Sequence, residues 1–237
     1  MEKYQYKEIN GEMTGELNPD WAKDAQAKKF QFFLKHSNIP KDYWDLDFND
    51  YTSDKNKAAV KQCQTYAERC RKEELHNISL YLFGPQTSGK TTIACAIGKE
   101  FIRQGYRVQF VLAGDFINMM MKNQGFNHNP EIVQRLRNLL SADLLIIDDA
   151  FDKDKALMWS NSESKNLIIS EWDTTLRRYL SNDGRVIITS NFMLEQIASS
   201  YGRSMYELVD RNFIQIRFEE TTYVKVDRKK RLEDALK

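Results

Sequence analysis

Residues Gly84-Pro85-Gln86-Thr87-Ser88-Gly89-Lys90-Thr91 spell G-x-x-x-x-G-K-S/T, a complete phosphate-binding loop. Such a loop works only between a strand and a helix. Before it runs Ile78-Ser79-Leu80-Tyr81-Leu82-Phe83, a β-rich apolar stretch, and after it Thr91-Thr92-Ile93-Ala94-Cys95-Ala96-Ile97-Gly98 can continue as a buried helix. Glycines let the backbone wrap a phosphate with its N–H groups turned inward, and the helix N-terminus adds partial positive charge. The expected cradle is Gly84, Pro85, Gln86, Thr87, Ser88, Gly89, Lys90, Thr91 and Thr92, with Lys90 reaching the β and γ phosphates and the Thr91 hydroxyl ligating Mg²⁺.

Leu144-Leu145-Ile146-Ile147-Asp148-Asp149 is an apolar run ending in two carboxylates. A continuous run suits a parallel strand buried on both faces, and its acids then emerge at the C-terminal edge, where open α/β sheets bind ligands. Asp148 is expected to hold Mg²⁺, directly or through water, and Asp149 to orient and deprotonate an attacking water. A third strand, Arg185-Val186-Ile187-Ile188-Thr189-Ser190-Asn191, closes on polar residues. Lying beside the acidic strand, it would bring Asn191 to the same water or to the γ-phosphate. Two tandem acids and a polar strand end poised around water favour ATP hydrolysis over phosphoryl transfer to a metabolite.

The loop, the L-L-I-I-D-D run and the I-I-T-S-N strand together resemble the AAA+ ATPases of the DnaC/DnaI helicase-loader and IstB transposition-helper group. The lead-in from Ile39-Pro40 to Phe48 and the stretch from Tyr201-Gly202-Arg203 to Asp210-Arg211 extend the resemblance over about residues 39–223. It implies an α/β P-loop fold with a central parallel five-stranded sheet flanked by helices. It also implies side-by-side assembly into an ATP-dependent homo-oligomer, with an arginine finger supplied in trans: Arg211 first, Arg203 second. In similar proteins the lead-in packs near adenine, so Phe48 or Tyr51 either lines the base pocket or packs against the core. Likewise the elements after the second strand face single-stranded DNA, which makes Lys122, Asn123 and Phe126 candidate contacts, while Met119, Met120 and Met121 read equally as adaptable core.

With 35 basic and 34 acidic side chains the chain has no overall excess for nucleic acid, so any DNA contact is local. No apolar run of membrane-spanning length or leader pattern appears, so the expectation is a cytoplasmic protein with no membrane partner. Cys63, Cys70 and Cys95 give no disulfide framework. On a helix Cys63 and Cys70 stand about 10 Å apart, too far to bridge or to share a zinc, and they read as core.

The expected organisation is an N-terminal helical partner-binding segment (1–38), a lead-in loop and helix (39–76), the ATPase domain (77–226) and a basic tail (227–237). Asn18-Pro19 offers a cap and a first-turn proline for a helix to about Leu34 carrying Trp21, Phe30 and Phe33 as a candidate partner anchor. A second helix is expected over about 55–72 after a cap at Asp54. Gly105 should stop the helix after the phosphate loop, and 161–165 reads as loop before a helix over 167–180. With residues 219–237 following the last expected strand, no full C-terminal lid is expected. The tail Asp227-Arg228-Lys229-Lys230-Arg231 grips DNA phosphate or forms a solvated end. The function expected is a replicative helicase loader that binds and hydrolyses ATP, contacts single-stranded DNA and engages a replicative DNA helicase through its N-terminal segment. An IstB-like transposition helper is the alternative, and an ATP-sensing adaptor without DNA contact is the alternative of another class.

Overall fold

The computed structural model describes residues 3–9, 12–70, 78–124, 129–151 and 162–221. Three apolar runs become neighbouring parallel strands: β3 (Ser79–Phe83), β5 (Leu144–Ala150) and β6 (Arg185–Ser190). With β4 (Val108–Leu112) and β7 (Phe213–Arg217) they make one five-stranded sheet in the order β4-β5-β6-β3-β7, parallel throughout. The chain crosses from β3 over two strands to β4 and returns inward, so the phosphate loop leaves β3 at an interior position of the sheet.

Alternation along the strands explains why these runs are apolar without a break. Leu144 and Ile146 of β5 and Ile187 of β6 face one core, shared with α1 (Pro19–His36), α2 (Lys57–Glu68) and α3 (Lys90–Arg103). Leu145, Ile147, Val186 and Ile188 face the other. That second core is built by α4 (Ala113–Gln124), α5 (Pro130–Leu140), α6 (Ser162–Ser181), α7 (Leu194–Tyr201) and α8 (Arg203–Asn212). Ile93, Ile97 and Phe101 of α3 are fully buried, each stabilising the packing by about 1.5–3 kcal/mol. Cys63, Cys70 and Cys95 are buried and free, as core residues.

Several local expectations meet the structure directly. The Asn18 side chain accepts from the Asp20 and Trp21 amides to cap α1, and α3 ends just before Gly105, whose φ of 93° needs glycine. Others are corrected. The segment expected to be helical over 1–38 is so only from Pro19, and the chain before α1 forms an antiparallel hairpin, β1 (Tyr4–Ile9) with β2 (Glu12–Leu17). Asp54 opens a 3-10 turn rather than capping a helix, and α2 starts at Lys57. Residues 162–165 are helical, so α6 starts well before Leu167. Residues 71–77, 152–161 and the basic tail lie outside the described residues.

The end of α1 is joined to the sheet. Phe110 N donates to Ser37 O at 2.7 Å, Gln109 Nε2 donates to His36 O at 2.7 Å and Leu34 is buried. Phe30 and Phe33 are half-buried against the core on this side, whereas Phe32 is 59% exposed.

Candidate nucleotide site

The even residues of β5 face α3, which aims Asp148 at the helix that starts at Lys90. Thr91 Oγ1 donates to Asp148 Oδ1 at 2.8 Å. The odd residues of β6 face the same side, and Thr189 Oγ1 donates to the same Asp148 oxygen at 2.6 Å. Burial pushes the Asp148 pKa up, against the two hydroxyl donors that favour its charged form. A hydroxyl and a carboxylate side by side form an oxygen-only donor pair, which fits the hardness of Mg²⁺.

Between Ile147 and Ala150 the pairing of β5 with β6 slips by one residue. The slip falls on the two acids. Asp149 takes a left-handed φ of 56°, and its amide donates to Thr189 Oγ1 at 3.0 Å. One threonine therefore fills the bulge, holding the Asp148 carboxylate with its proton and the Asp149 backbone with its lone pair. The turned backbone keeps Asp149 on the wall of the same cavity as Asp148.

That cavity, about 430 Å³, is walled by Gln86, Thr87 and Gly89 to Thr92 on one side and by Asp148, Asp149 and Thr189 to Asn191 on the other. Lys90 Nζ donates to Gly84 O at 2.8 Å, Pro85 O at 2.6 Å, Ser88 Oγ at 3.2 Å and Asn191 Oδ1 at 3.1 Å. Burial lowers the Lys90 pKa to about 8, with Asp148 and Asp149 pulling it back up. A half-dehydrated ammonium, ringed by the loop's own carbonyls and facing two acids, suits a site that receives a polyanion carrying a divalent cation. The two glycines are obligatory. A Cβ on Gly84 would lie 2.1 Å from Phe218 O, and one on Gly89 would lie 2.3 Å from the Tyr51 ring.

The comparisons with known proteins agree with this geometry. Residues 17–211 match the family described as IstB-like ATP binding protein. The chain belongs to that family. Over 128 residues it is 29% identical to the putative ATP-binding protein of insertion sequence IS5376 from Geobacillus stearothermophilus, covering 53% of this chain and 47% of the relative. Over 130 residues it is 31% identical to the replicative helicase loader DnaC of Buchnera aphidicola subsp. Schizaphis graminum, covering 54% and 51%. The chain thus matches about half the length of these curated relatives. The crystal structure of the DnaC helicase loader superposes with a TM-score of 0.58 at 18% identity, covering 76% of this chain and 99% of that one. At that identity the likeness speaks for the fold, an AAA+ P-loop sheet.

In this IstB-like chain the predicted site residues divide into two groups. The loop residues that wall the cavity, together with Asp148, Asp149 and Asn191, converge on it. Arg203 and Arg211 do not line it; they stand exposed on α8, where Glu207 pairs with Arg203 at 3.0 Å and with Arg211 at 3.9 Å. Lys122 is exposed near the end of α4, Asn123 belongs to the same helix, and Phe126 lies outside the described residues. Met119 and Met120 are buried in the core and Met121 is exposed.

Three residues of the surround escaped the sequence reading. Tyr43, rather than Phe48 or Tyr51, reaches the cavity wall. Phe48 and Tyr51 are buried, and Tyr51 Oη donates to Ser88 O at 2.7 Å, which clamps the loop from behind. Asn56 Nδ2 in turn donates to Tyr51 Oη at 2.6 Å, while Asn56 exchanges two hydrogen bonds with the backbone of Glu219. Lys99, further along α3 and on the side opposite Lys90, is fully buried and donates to the carbonyls of Tyr43, Trp44 and Leu46. An isolated lysine in a helical run carries no signal in sequence; only the carbonyls of a distant loop reveal its task.

Proposed function

We propose that the chain is an ATP-hydrolysing helicase loader of the DnaC type. The observation that carries the catalytic part is the bulge, where Thr91, Asp148, Thr189 and Asp149 are linked by hydrogen bonds across from Lys90 and Asn191. Residues Gly84 to Thr92 would hold the phosphates through backbone N–H groups, with Lys90 leaving its loop carbonyls for the β and γ oxygens. Thr91 and Asp148 would hold Mg²⁺, which supplies charge neutralisation between the phosphates when bound. Asp149 would orient the attacking water and take its proton at the carboxylate, and Asn191 would fix the water or the γ-phosphate oxygen. Aspartate is one methylene shorter than the glutamate often used as this base; the bulge, by turning its backbone toward the cavity, offsets the shorter reach.

Arg211, with Arg203 as second candidate, would complete a neighbour's site as the finger in trans. Exposure on α8 away from the chain's own cavity supports that reading, because a finger must be free to cross an interface. ATP would then act as a switch, since contacts to its γ-phosphate across the interface bias a homo-oligomer toward assembly. Lys122, Asn123 and Phe126 are proposed as single-stranded DNA contacts, and the segment up to residue 38 as the contact to the replicative helicase. For the helicase the support is the 31% identity to a DnaC loader. The transposition-helper reading has its own support in the IstB-like family match and the insertion-sequence relative.

Co-purification with ATP and Mg²⁺ tests the choice. A stoichiometric complex with the replicative helicase of the same replication system is the result expected of a loader. Intact ATP-dependent DNA binding without any such complex would move the assignment to the transposition helper.

A further inference from the structure

On the far edge of the sheet, α1, β4 and α5 enclose a groove of about 1030 Å³ that shares no residue with the nucleotide cavity. Its floor is rigid, because the last turn of α1 is hydrogen-bonded to β4 through Ser37, His36 and the Asn38–Gln109 pair. On its wall stands Phe32, 59% exposed, with the His36 ring tilted 35° against it at a centroid distance of 4.3 Å. Burial would stabilise such a ring by about 1.5–3 kcal/mol, so one left in water beside a groove offers a platform to a ligand.

The charges around that platform have one prevailing sign. Lys35 and Arg135 are exposed and form no ion pair among the described residues. Arg107 also lines the groove but is shared with Asp143 at 3.5 Å, and Glu131 is the acid in the lining. Across from Phe32, the Gln134 and Asn138 amides, themselves linked at 2.9 Å, present donors and acceptors along α5. Apart from Phe32 and Phe33 the apolar lining is Val108, Pro130 and Ala142, with no leucine, isoleucine or methionine. An amphipathic helix needs such anchors at turn spacing, so the groove is poorly made for one.

Exposed planar rings, free cations and amides are what an unpaired nucleic acid strand requires: stacking for bases, charge for phosphates, hydrogen bonds for base edges. We propose that this groove is a single-stranded nucleic-acid binding face, with a base stacked on Phe32 beside His36 and the backbone following Lys35 and Arg135. It rests on the reading that the chain acts on single strands, but lies on a different part of the fold from Lys122. A duplex, with its bases already stacked, cannot use the Phe32 platform.

The test is fluorescence anisotropy of a labelled oligo-dT titrated with the full chain, ATP and Mg²⁺ over a salt series. Phe32→Ala is expected to weaken binding roughly tenfold to a hundredfold, as loss of one stacked base does, with Phe32→Tyr near wild type. Lys35→Gln combined with Arg135→Gln should lower the slope of log K against log salt by about 1.4. All these side chains are exposed and remote from the nucleotide cavity, so binding of a fluorescent ATP analogue should be unchanged. Wild-type affinity in Phe32→Ala and in the double variant, while Lys122→Ala still weakens binding, overturns the groove and leaves the loader reading standing. A wild-type chain that binds no oligo-dT overturns both DNA claims. Equal competition by duplex, or loss of a protein partner with oligo-dT binding intact, also overturns the proposal.

Discussion

Replacing Thr189 by valine preserves the shape of a fully packed side chain and removes the hydroxyl that organises both acids. In the wild type that hydroxyl donates to Asp148 Oδ1 at 2.6 Å and accepts from the Asp149 amide at 3.0 Å. A hydrogen bond to a charged carboxylate contributes about 1.5–3 kcal/mol, and a part-buried N–H left without its acceptor costs about 1–3 kcal/mol more. A destabilisation of about 3 kcal/mol at neutral pH is therefore expected in urea unfolding of the protein without nucleotide, with Thr189→Ser close to wild type.

The pH dependence separates the two contributions. Burial raises the Asp148 pKa above its ordinary value, so the folded state binds the proton more tightly than the unfolded chain. Stability gained from the neutral carboxyl is present at low pH and lost as pH rises from the ordinary aspartate range through the folded pKa. The Thr189 hydroxyl favours the charged form, and valine withdraws that help only where the carboxyl is ionised. The gap between variant and wild type should thus be larger at pH 7 than at pH 4, without closing at pH 4, where the orphaned amide remains. On the acid side of the pH profile, Mg²⁺-dependent ATP binding should fall roughly tenfold to a hundredfold, the same 1.5–3 kcal/mol expressed as affinity. Superimposable pH profiles for Thr189→Val and wild type would refute the assignment of Asp148 and the organising role of the bulge together.

Lys90, held near pKa 8 by burial, must be charged to meet phosphates, so ATP affinity should be level below about pH 8 and decline up to tenfold per pH unit above it. A fluorescent ATP analogue titrated from pH 6.5 to 9.5 reads this, and an affinity unchanged at the alkaline end contradicts it. Asp149→Asn should keep ATP binding and lose about 10²–10⁴ in turnover. Arg211→Ala should lose about 10³ or more, and mixing the two variants should restore activity, because the Asn variant still donates its arginine to the intact site of the other. No recovery on mixing either Arg211→Ala or Arg203→Ala with Asp149→Asn removes the trans finger. Lys99→Met leaves three buried carbonyls without their donor and should lower the urea midpoint by the equivalent of at least about 2 kcal/mol.

Much of this site was legible because its chemistry is local in sequence. The loop is eight consecutive residues, and each acidic or polar partner sits where an apolar run ends, which is where a buried parallel strand meets solvent. Strand alternation even fixes which side Asp148 and Thr189 face. The bulge was not legible, since Asp148-Asp149 reads as plain strand and only the register against β6 exposes the extra residue. The hairpin β1-β2 does have a sequence signal, since Asn10-Gly11 between its two runs is a favoured hairpin turn dipeptide, but the runs themselves are largely polar and offer no continuous apolar face to mark them as strands. Asp54 was misplaced as a helix cap because a 3-10 turn leads into α2 and uses similar residues. For Phe48 and Tyr51 the sequence left base pocket and core packing open, and their burial decides for packing, whereas Tyr43, held by its carbonyl to Lys99, stands on the cavity wall.

The lead-in is consequently more than a cover. A phosphate loop rich in glycine has little side-chain packing of its own to hold its shape, so its rigidity must come from what touches its backbone. Tyr51 supplies this from one side, through the Ser88 carbonyl and a ring that leaves no room for a Cβ on Gly89. Asn56 fixes Tyr51 and at the same time ties down the backbone at Glu219, just beyond β7. Residues 218 and 219 in turn border the start of the loop, for Phe218 N donates to Phe83 O at 2.7 Å and its carbonyl occupies the space beside Gly84. Lead-in, loop and final strand are thus closed into one hydrogen-bonded network that braces the loop. Lys90, which donates to Ser88 Oγ, is therefore joined through Ser88, Tyr51 and Asn56 to the backbone that leaves β7, so the shape of the loop depends on side chains far from it in sequence.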